Sequence, residues 1–355
     1  MKTRERLDKL FCTMMLDSGA VSVWTKGLTV DLTEYCNYIE QVEDILQTYV
    51  NLDVIPSSRT DPMIVEEAAK GSWKNYQRMV RSGFSPMPVF HYSERVYWLD
   101  KILDSGIDYL GVGGLLRVSN EQLIRWLDSV FSHIFHRRGE MVKVHGFAVT
   151  RFGLMTRYPW FSCDSTSAFG NAGRGGILIP QMRDGEYCYT VAPRRIYVSE
   201  RAHGGEMYGK LRDRWLKSLG IGAENRKYIL DFVEATGLES CFSMPPRTDV
   251  KRKSGVDKCS ARTFRLLVNS YINIRFCVEY QIKPFVIPTN LFEDGGVITV
   301  PWRRLQVFDG SWLSDLWTVK HYMDPKIFCY PQYKLVSFAD RSLGGPDRLR
   351  SFQYV

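Results

Sequence analysis

Short apolar strands that each end in a polar residue or a glycine recur through the first half of this sequence. The residues at these strand ends are Asp17, Asp53, His91, Gly113 with Gly114, His145 and Asp164. Helical stretches separate the strands at intervals of roughly 20 to 40 residues, which is the rhythm of a (β/α) barrel. The sequence therefore predicts an α/β fold, a TIM-type (β/α)8 barrel with insertions and a C-terminal extension. Since the carboxyl ends of barrel strands converge, three carboxylates are expected to share one pocket.

The length of the chain suits one barrel with additions. A barrel of this class takes about 250 residues, and the chain has 355, of which 45% are hydrophobic. We assign residues 1–240 to the catalytic barrel. Residues 241–285, a basic loop followed by a long amphipathic helix, are expected to complete or flank it. Residues 286–355 are rich in aromatic side chains and are expected to form a C-terminal extension or a small subdomain.

The charge balance favours a polyanionic partner without establishing one. The chain carries 47 Lys and Arg against 39 Asp and Glu, a formal net charge of +8, with an isoelectric point of about 9.0. The candidate contacts to the phosphates of a nucleic acid are Arg174, Arg194, Arg195, Lys251, Arg252 and Lys253. Each of these residues, taken alone, is explained better as a solvated surface charge than as a phosphate contact.

Cysteine usage and the amino terminus indicate a cytoplasmic protein. The eight cysteines are scattered, without a CxxC pair, as expected for reduced thiols. The start, MKTRERLDKL, is too charged for a signal peptide, and no apolar run approaches the ~20 residues needed to span a bilayer. We therefore predict no membrane association, no cofactor and no metal. A structural zinc is an alternative that the spacing does not predict, and its candidate ligands are Cys188, Cys241, Cys259 and His203.

Asp164 and Asp17 have the surroundings of two catalytic carboxylates. Asp164 follows the apolar run from Trp160 to Cys163 and precedes the hydroxyl-rich segment STS. A carboxylate at such a strand end can attack an electrophilic carbon and form a covalent ester. Asp17 could donate a proton to the leaving group and take one from the incoming group. Two such roles suit chemistry at C1′ of a glycosidic bond, whereas the alternative for Asp17 is a simple Asx-turn.

Asp53 and a run of glycines suggest contacts with a flat ligand. The carboxylate of Asp53 could accept two parallel hydrogen bonds from the N1–H and the exocyclic amine of a guanine-like base. Alternatively, Asp53 caps the following segment or pairs with Arg59. Gly111, Gly113 and Gly114 would let a ligand approach the backbone. They lack the third glycine of the dinucleotide-binding fingerprint.

A metal-dependent hydrolase is another interpretation of the same strand ends. His91, His145 and Asp164 carry the imidazole and carboxylate groups that zinc binds. Against this, no HxH follows the first strand and no middle strand ends in lysine. The pair His133 and His136 lies beside two arginines and is interpreted as a basic helix end rather than a metal site.

The order of these motifs resembles the queuine and archaeosine tRNA-guanine transglycosylase superfamily. The resemblance is closest to the divergent branch encoded by phages and by bacterial 7-deazaguanine DNA-modification clusters. The matching segments are LDSGA at 16–20, LDVIP at 52–56, PVFHY at 88–92, YLGVGGL at 109–115, KVHGFAVT at 143–150 and YPWFSCDSTSAF at 158–169. They lie in order across residues 8–180, about half of the chain. The resemblance implies a TIM-type barrel that exchanges guanine for a free 7-deazaguanine base without breaking the nucleic-acid backbone, in the host cytoplasm if a phage encodes it.

The resemblance also implies roles for individual residues. Asp164 would be the nucleophile at C1′, and Asp17 would be the general acid and base. Asp53 would bind the Watson–Crick edge of the base. The other expected base contacts are Ser18, Gly19, His91, Gly113, Gly114, Leu115 and His145.

The sequence departs from the family pattern in ways that bear on the substrate. The tRNA enzymes carry a zinc-binding CxCxxC motif with a distal histidine, and this sequence has no such spacing. We therefore expect DNA as the substrate, with tRNA as the first alternative and a non-catalytic nucleic-acid-binding subunit as the second. Val21 replaces the family's stacking aromatic residue, so Phe147 or Trp160 is expected to sandwich the base. Gly170 stands where an arginine is usual, so Arg174 is expected to contact the phosphate.

Overall fold

The computed structural model of this protein describes the chain in several stretches. These are residues 12–20, 29–149, 151–165, 167–174, 176–197, 261–309 and 332–337, with isolated positions at 223, 227, 230–232 and 234. The chain divides into two compact units, the first made of Met1–Ser165, Gln281–Gly310 and Phe328–Val355 and the second of Thr166–Tyr280 and Ser311–Ile327. This division differs from the predicted boundaries at residues 240 and 285.

The described residues form the following elements. The strands are β1 (Cys12–Asp17), β2 (Thr48–Tyr49), β3 (Val89–His91), β4 (Tyr109–Gly113), β5 (Lys143–Gly146), β6 (Ser162–Ser165), β7 (Gly176–Ile179), β8 (Gln181–Arg183), β9 (Glu186–Cys188), β10 (Arg194–Tyr197), β11 (Phe285–Ile287), β12 (Gly296–Ile298), β13 (Gln306–Asp309) and β14 (Gln332–Ser337). The helices are α1 (Leu32–Val42), α2 (Pro62–Arg81), α3 (Val96–Asp104), α4 (Asn120–Ser132), α5 (Phe152–Arg157), α6 (Ser167–Gly173) and α7 (Ala261–Glu279). None of these helices is long and apolar enough to cross a bilayer.

A parallel sheet is the centre of the first unit. Its strand order is β2–β1–β14–β13–β6–β5–β4–β3, and the strands that pair along it run parallel. Helices α1–α5 alternate with strands β1–β6 along the chain, so the predicted mixed α/β class is confirmed. Because parallel strands point the same way, their carboxyl ends lie at one edge, where ligands bind in sheets of this kind.

The place of β13 and β14 corrects the predicted C-terminal extension. β13 pairs with β6, and β14 pairs with β1, so both strands lie inside the sheet rather than in a separate subdomain. β13 has only four residues, and its partner β6 lies far earlier in the sequence. A short strand with a remote partner leaves no local pattern, because its burial is decided by the partner. β11 and β12 form a separate antiparallel pair in the same unit.

Local capping groups explain where two helices of the first unit begin. Asp61 Oδ1 accepts a hydrogen bond from the Met63 backbone N–H at 2.9 Å. Pro62 occupies the first turn of α2, where its missing N–H costs nothing. Ser119 and Gln122 form a capping box at the start of α4, which satisfies two backbone donors that would otherwise lack partners. Both helices lead back to strands of the sheet, β3 and β5.

The apolar core of the first unit joins residues from strands that are far apart in the sheet order. The cluster consists of Met15, Val50, Met87, Val89 and Phe308, with Tyr109 and Phe147 packed against it. The backbone at Val50 also forms a parallel bridge with Met87. Next to this bridge, the Asn51 N–H donates to the Met87 carbonyl at 2.8 Å. The chain after β2 is therefore hydrogen-bonded to the chain before β3.

The second unit is described in part. β7 pairs antiparallel with β10, and β8 pairs antiparallel with β9. The buried side chain of Asn269 in α7 accepts a hydrogen bond from the Leu178 N–H at 2.7 Å and donates to the Gly176 carbonyl at 3.2 Å. These two bonds attach α7 to β7. The predicted basic loop and most of the segment between β10 and α7 lie outside the described residues.

Candidate active site

Asp17, Asp53 and Asp164 come together in the first unit. Asp17 is the last residue of β1, Asp164 lies near the end of β6, and Asp53 follows β2. The pKa of Asp17 is raised from 3.8 to about 7. The largest cause is burial, followed by the charge of Asp53 and then by that of Asp164. Hydrogen bonds from the backbone N–H groups of Gly19 and Ser18 lower the pKa but do not outweigh these causes. Since charges shift a pKa strongly only over short distances, the three carboxylates share one site. Asp17 also accepts a hydrogen bond from the Gly19 N–H, as in an Asx-turn, so this turn and the shared site occur together.

Asp53 reaches the site from a loop rather than from a strand end. β2 ends at Tyr49, followed by the single bridge residue Val50. The Asp53 N–H then donates to the Asn51 carbonyl at 2.8 Å, a turn that takes the backbone out of the sheet. The prediction that Asp53 ends a strand is therefore wrong, although its side chain still lies in the site. Arg59, a predicted alternative partner, donates instead to the carbonyl of Leu116.

A buried network of Ser18, His91 and Glu94 holds Asp53. Ser18 Oγ donates to Asp53 Oδ1 at 2.9 Å, and His91 Nε2 lies 2.8 Å from Asp53 Oδ2. On the other side of the imidazole, Nδ1 lies 3.2 Å from Glu94 Oε1. Glu94 Oε2 accepts from the His91 backbone N–H at 3.0 Å. The side chains of His91 and Glu94 are each 3% exposed, so His91 bridges two carboxylates away from bulk water.

This network determines the charge of His91. Burial lowers the pKa of the imidazole, but the hydrogen bonds and charges of Asp53 and Glu94 outweigh burial and raise the pKa from 6.5 to about 10. Both ring nitrogens therefore carry protons at neutral pH, and neither has a lone pair to offer a metal ion. Among the described residues, no group of three or more His, Cys, Asp or Glu side chains could hold a metal.

Asp164 is held by fewer groups than Asp53. Its Oδ1 accepts a hydrogen bond from the Ala148 backbone N–H. Ala148 has a φ of 55°, which is uncommon for a residue with a Cβ, and this turn after β5 directs the N–H at the carboxylate. His145 Nε2 lies 3.7 Å from the same oxygen, which is longer than a hydrogen bond. No hydrogen-bond partner of Oδ2 lies among the described residues.

His145, Ser162 and Tyr109 form a buried polar chain beside Asp164. His145 Nδ1 lies 2.6 Å from Ser162 Oγ, which lies 2.5 Å from the Tyr109 hydroxyl. His145 is fully buried, and its Nε2 has no hydrogen-bond partner in the described part of the chain. The ring of Phe147 packs edge-on against it, with centroids 4.5 Å apart. The structure thus brings His145 to the nucleophile candidate, while its expected contact with a base stays a prediction.

The glycines at the end of β4 fit closely against their neighbours. A Cβ at Gly113 would lie 3.0 Å from Val89 Cγ1 and 3.1 Å from His91 Cδ2. Gly114 has a φ of 74°, and a Cβ there would lie 3.0 Å from the Tyr92 backbone nitrogen. Packing therefore accounts for both glycines without a ligand. That their backbone and that of Leu115 contact a base stays a prediction.

The two aromatic residues expected to sandwich a base differ in exposure. Trp160 is fully buried, donates from Nε1 to the Leu154 carbonyl at 2.9 Å and packs against Phe131, with ring centroids 4.7 Å apart. Trp160 is thus part of the core, and its predicted stacking role is wrong. Phe147 is partly buried and lies beside His145, so it remains the candidate of the two.

The predicted nucleic-acid contacts lie in the second unit or outside the described residues. Arg174, Arg194 and Arg195 are exposed. The guanidinium of Arg174 lies over Gly170, where a Cβ would be 3.4 Å from Nη2. The positions outside the described residues are Lys251, Arg252 and Lys253, and the candidate zinc ligands Cys241, Cys259 and His203.

The remaining candidate metal ligands have other neighbours. The fourth zinc candidate, Cys188, lies 3.4 Å from the hydroxyl of Thr190. His133 Nε2 lies 2.8 Å from Asp100 Oδ1. His136 packs against the ring of Phe292, with centroids 4.8 Å apart. Each of these three side chains therefore has a protein group as its neighbour.

Four residues of the site were not predicted from the sequence. They are Glu94, Ser162, Tyr109 and Ala148. Ser162 was within reach of sequence reasoning, because residues two apart in a strand point to the same face and Ser162 precedes Asp164 by two. Glu94 had a weaker signal, its position three residues after His91. The other two enter through strand register and backbone conformation, which leave no residue pattern.

No family model, curated protein or solved structure matches this chain. Its function is therefore argued from the chemistry of the site. That chemistry comprises a carboxyl group with a pKa near 7, a carboxylate bound to an imidazolium, and a carboxylate held by one backbone N–H.

Proposed function

We propose that this protein is a DNA-guanine transglycosylase, which exchanges guanine in DNA for a 7-deazaguanine base. One observation carries the proposal: Asp53 and Asp164 both lie close enough to Asp17 to help raise its pKa to about 7. A group with this pKa can both give and take a proton at neutral pH. A second carboxylate in the same site can then act as the nucleophile. The resemblance of the motif order to tRNA-guanine transglycosylases supplies the substrate class.

The proposed enzyme has a closed TIM-type (β/α)8 barrel. The bridge between Val50 and Met87 supports closure, because it connects the two outer strands of the sheet, β2 and β3. The shared core cluster supports closure as well, because it contains both Met15 of β1 and Val89 of β3. With strands about 4.8 Å apart, a flat sheet would separate β1 from β3 by about 29 Å. A curled sheet brings them within contact.

In the first half-reaction, Asp164 attacks C1′ of the target nucleotide. Since Oδ1 accepts the Ala148 N–H, Oδ2 is the oxygen that bonds to the sugar. The bond between C1′ and N9 breaks, and the protonated Asp17 gives its proton to the leaving guanine. The products are an ester between Asp164 and C1′, free guanine and an ionised Asp17, while the phosphodiester backbone stays intact.

In the second half-reaction, a 7-deazaguanine base takes the place of guanine. The ionised Asp17 removes the N9 proton as N9 attacks C1′, and Asp164 leaves as a carboxylate. Both residues return to their starting states. A pKa near 7 suits this double role, because the acid and the base forms of Asp17 are both populated at neutral pH.

Asp53 has the hydrogen-bonding capacity to read the base. Its two oxygens each accept one hydrogen bond, from Ser18 and from His91. Each oxygen retains a second lone pair, and the two can accept the N1–H and the exocyclic amine of guanine side by side. His91, anchored on its other nitrogen by Glu94, fixes the direction of the carboxylate.

DNA is the proposed polymer because the zinc motif of the tRNA enzymes is missing from the sequence. An enzyme that acts on a base within a strand must extrude that nucleotide, at a cost of a few kcal/mol. Contacts between phosphates and cationic side chains offset this cost. Arg174, Arg194 and Arg195, all exposed, are the described candidates for these contacts.

Incorporation of labelled guanine tests the proposal without knowledge of the natural 7-substituent. The protein is incubated with radiolabelled guanine and, separately, with duplex DNA, single-stranded DNA and tRNA. We expect label in DNA, together with a covalent protein–DNA adduct. In Asp164→Asn, both the label in DNA and the adduct should decrease by at least about 10⁴-fold. Asp108→Asn is the matched control, since this carboxylate precedes β4 and is 89% exposed.

The outcomes separate the competing functions. Label in DNA that depends on Asp164 supports the proposal. Label in tRNA alone shows the same chemistry on the alternative polymer and overturns DNA as the substrate. Binding of nucleic acid without label in either polymer indicates the non-catalytic alternative and overturns the enzymatic proposal.

A further inference from the structure

His145 has one nitrogen in a hydrogen bond and one without a partner. Nδ1 lies 2.6 Å from Ser162 Oγ. Nε2 is buried, has no hydrogen-bond partner among the described residues and lies 3.7 Å from Asp164 Oδ1. A buried polar atom without a partner is costly. The arrangement therefore calls for an explanation in terms of its neighbour Asp164.

The Tyr109 hydroxyl determines which nitrogen of His145 carries the proton. Burial raises the pKa of Tyr109 well above its usual value, so the phenol keeps its proton. Ser162 Oγ is its only hydrogen-bond partner in the described part of the chain. If Tyr109 donates to Ser162, the Ser162 proton is free to be donated to His145 Nδ1. The Nδ1 atom then accepts, and the proton of the neutral ring is on Nε2.

The opposite tautomer is disfavoured at both ends of this chain. If His145 Nδ1 donated to Ser162, Ser162 would donate to Tyr109, and the phenolic proton would have no acceptor among the described residues. At the other end, a bare Nε2 lone pair would face the carboxylate oxygen of Asp164. Two acceptors 3.7 Å apart in a buried site repel each other. Both ends therefore favour Nε2–H.

We infer that His145 is a positioning residue for the Asp164 nucleophile, with its Nε2–H directed at Oδ1. Together with the Ala148 N–H, it holds Oδ1 and leaves Oδ2 to react at C1′. The inference rests on the proposed function for its catalytic meaning. A contact of 3.7 Å is long in the free protein, and such contacts commonly shorten when the substrate is bound.

The same donor stabilises Asp164 when it leaves C1′ in the second half-reaction. Breaking the ester returns negative charge to the carboxylate, and the Nε2–H and the Ala148 N–H both face Oδ1. A neutral donor suits this role, because an imidazolium would bind the carboxylate as an ion pair and weaken it as a nucleophile. The apolar rings of Phe147 and Phe308, with centroids 4.5 and 5.8 Å from that of His145, keep the imidazole away from solvent.

A pair of isosteric substitutions tests this role. In His145→Gln the side-chain amide reaches the position of Nε2, whereas in His145→Asn it reaches only that of Nδ1. We expect His145→Asn to slow adduct formation in a single turnover by about 100-fold and His145→Gln by about fivefold. The KM for guanine should change little in either variant. Urea unfolding of both variants checks that they lose similar amounts of stability.

A residue that only fills space would give another pattern. Equal loss of rate in the two variants, or a raised KM with an unchanged adduct rate, overturns the inference. So does a faster His145→Asn, which keeps the hydrogen bond to Ser162.

The tautomer itself provides a readout that needs no activity. The chain has six histidines, so ¹⁵N labelling of histidine gives few signals, and the His145 variants identify the one from His145. We expect Nε2–H with a bare Nδ1, and a shift of this signal in Asp164→Asn. An Nδ1–H tautomer or an imidazolium overturns the inference. If the wild-type protein fails to incorporate guanine, the proposed function falls, while this spectrum still decides whether His145 is directed at Asp164.

Discussion

The site contains two histidines that lie beside carboxylates, and their hydrogen-bond partners differ. His91 lies 2.8 Å from Asp53 and 3.2 Å from Glu94, and its pKa is raised to about 10. His145 lies 3.7 Å from Asp164 and bonds through its other nitrogen to a serine hydroxyl. His91 is therefore a cation between two anions, whereas His145 lies beside a single carboxylate and bonds to a hydroxyl.

This difference matches the roles proposed for the two carboxylates. A carboxylate that accepts two strong hydrogen bonds is oriented and weakly nucleophilic, which suits Asp53 as a group that holds a base. A carboxylate with one backbone donor keeps an oxygen available for reaction, which suits Asp164 as a nucleophile. Asp17 lies near both, and its pKa near 7 reflects first its burial and then their charges. Substitutions at the carboxyl groups and beside His91 test this division of roles.

After the loss expected for Asp164→Asn, the largest effect is expected from Asp17→Asn. The variant cannot protonate the leaving guanine, so the exchange rate should fall by about 10²- to 10⁴-fold. In the wild-type protein, adduct formation needs protonated Asp17 and should slow as the pH rises above about 7. Single-turnover adduct formation as a function of pH measures both effects. If the slope above pH 7 persists in the variant, Asp17 is not the acid and the comparison loses its central group.

The same substitution changes how stability depends on pH. Asp17 has a pKa of 3.8 in the unfolded chain and about 7 in the folded protein, so between these values the folded state holds a proton that the unfolded state has lost. This contribution to stability is therefore lost as the pH rises through the window, by an amount on the order of 4 kcal/mol. The free energy of unfolding of the wild type minus that of Asp17→Asn should therefore be smaller above about pH 7 than at about pH 4.

Urea unfolding of the two proteins across this range measures the difference. His91 adds its own slope, because a pKa raised from 6.5 to about 10 stabilises the fold below the first value and ceases to do so above the second. Subtracting the variant from the wild type removes this slope, which is common to both. A difference that stays constant with pH would mean that neither burial nor the charges of Asp53 and Asp164 raise the pKa of Asp17.

A smaller effect is expected from a substitution beside the imidazolium of His91. Glu94→Gln keeps the shape of the side chain but removes one of the two anions beside His91, so the pKa of His91 should fall. The free energy of unfolding at neutral pH should fall by about 1 to 3 kcal/mol. Glu121→Gln is the control, since Glu121 is 79% exposed and pairs with Arg125, and it should change stability by less than about 0.5 kcal/mol. Equal effects of the two substitutions would mean that Glu94 stabilises the fold no more than an exposed glutamate does.

Much of the site could be predicted because its residues stand at ends of local patterns. Asp17 and Asp164 each follow an apolar run in sequence, and both lie at the end of a parallel strand. Parallel strands bring such residues to one edge whatever their distance along the chain. The helix caps at Asp61 and Ser119 were equally local, because their hydrogen bonds stay within one turn.

The rest could not be predicted because tertiary contacts decide it. Asp53 sits in a run that reads as a strand, but Asn51 donates to the Ser72 carbonyl and the Ser72 hydroxyl accepts the Val54 N–H, which turns the chain into a loop. β13 and β14 lie in the sheet through pairings with β6 and β1, and no local signal marks them. Tyr109 joins the site only through the register of three neighbouring strands.

The smallest expected effect is that of Gly153→Ala, which is compared with the same substitution at Gly113. At Gly113, an added Cβ would lie 3.0 Å from Val89 Cγ1 and 3.1 Å from His91 Cδ2. Gly113→Ala should therefore displace His91 from its two carboxylates and destabilise the fold by about 1 to 3 kcal/mol. At Gly153, in the short helix α5, nothing lies within 4 Å of an added Cβ. Gly153→Ala should stabilise by about 0.5 to 1 kcal/mol, because alanine loses less backbone entropy in a helix.

Urea unfolding gives both values, and histidine ¹⁵N spectra show whether the His91 signal moves. The order of the two effects matters more than their size, since only Gly113 touches the imidazolium. If Gly113→Ala is tolerated and His91 still titrates near pH 10, as its raised pKa requires, then β4 does not help to hold the cation in place. The hydrogen bonds to Asp53 and Glu94 would then be sufficient to fix His91. Close packing against Gly113 would matter less for the position of His91 than the distances at Gly113 imply.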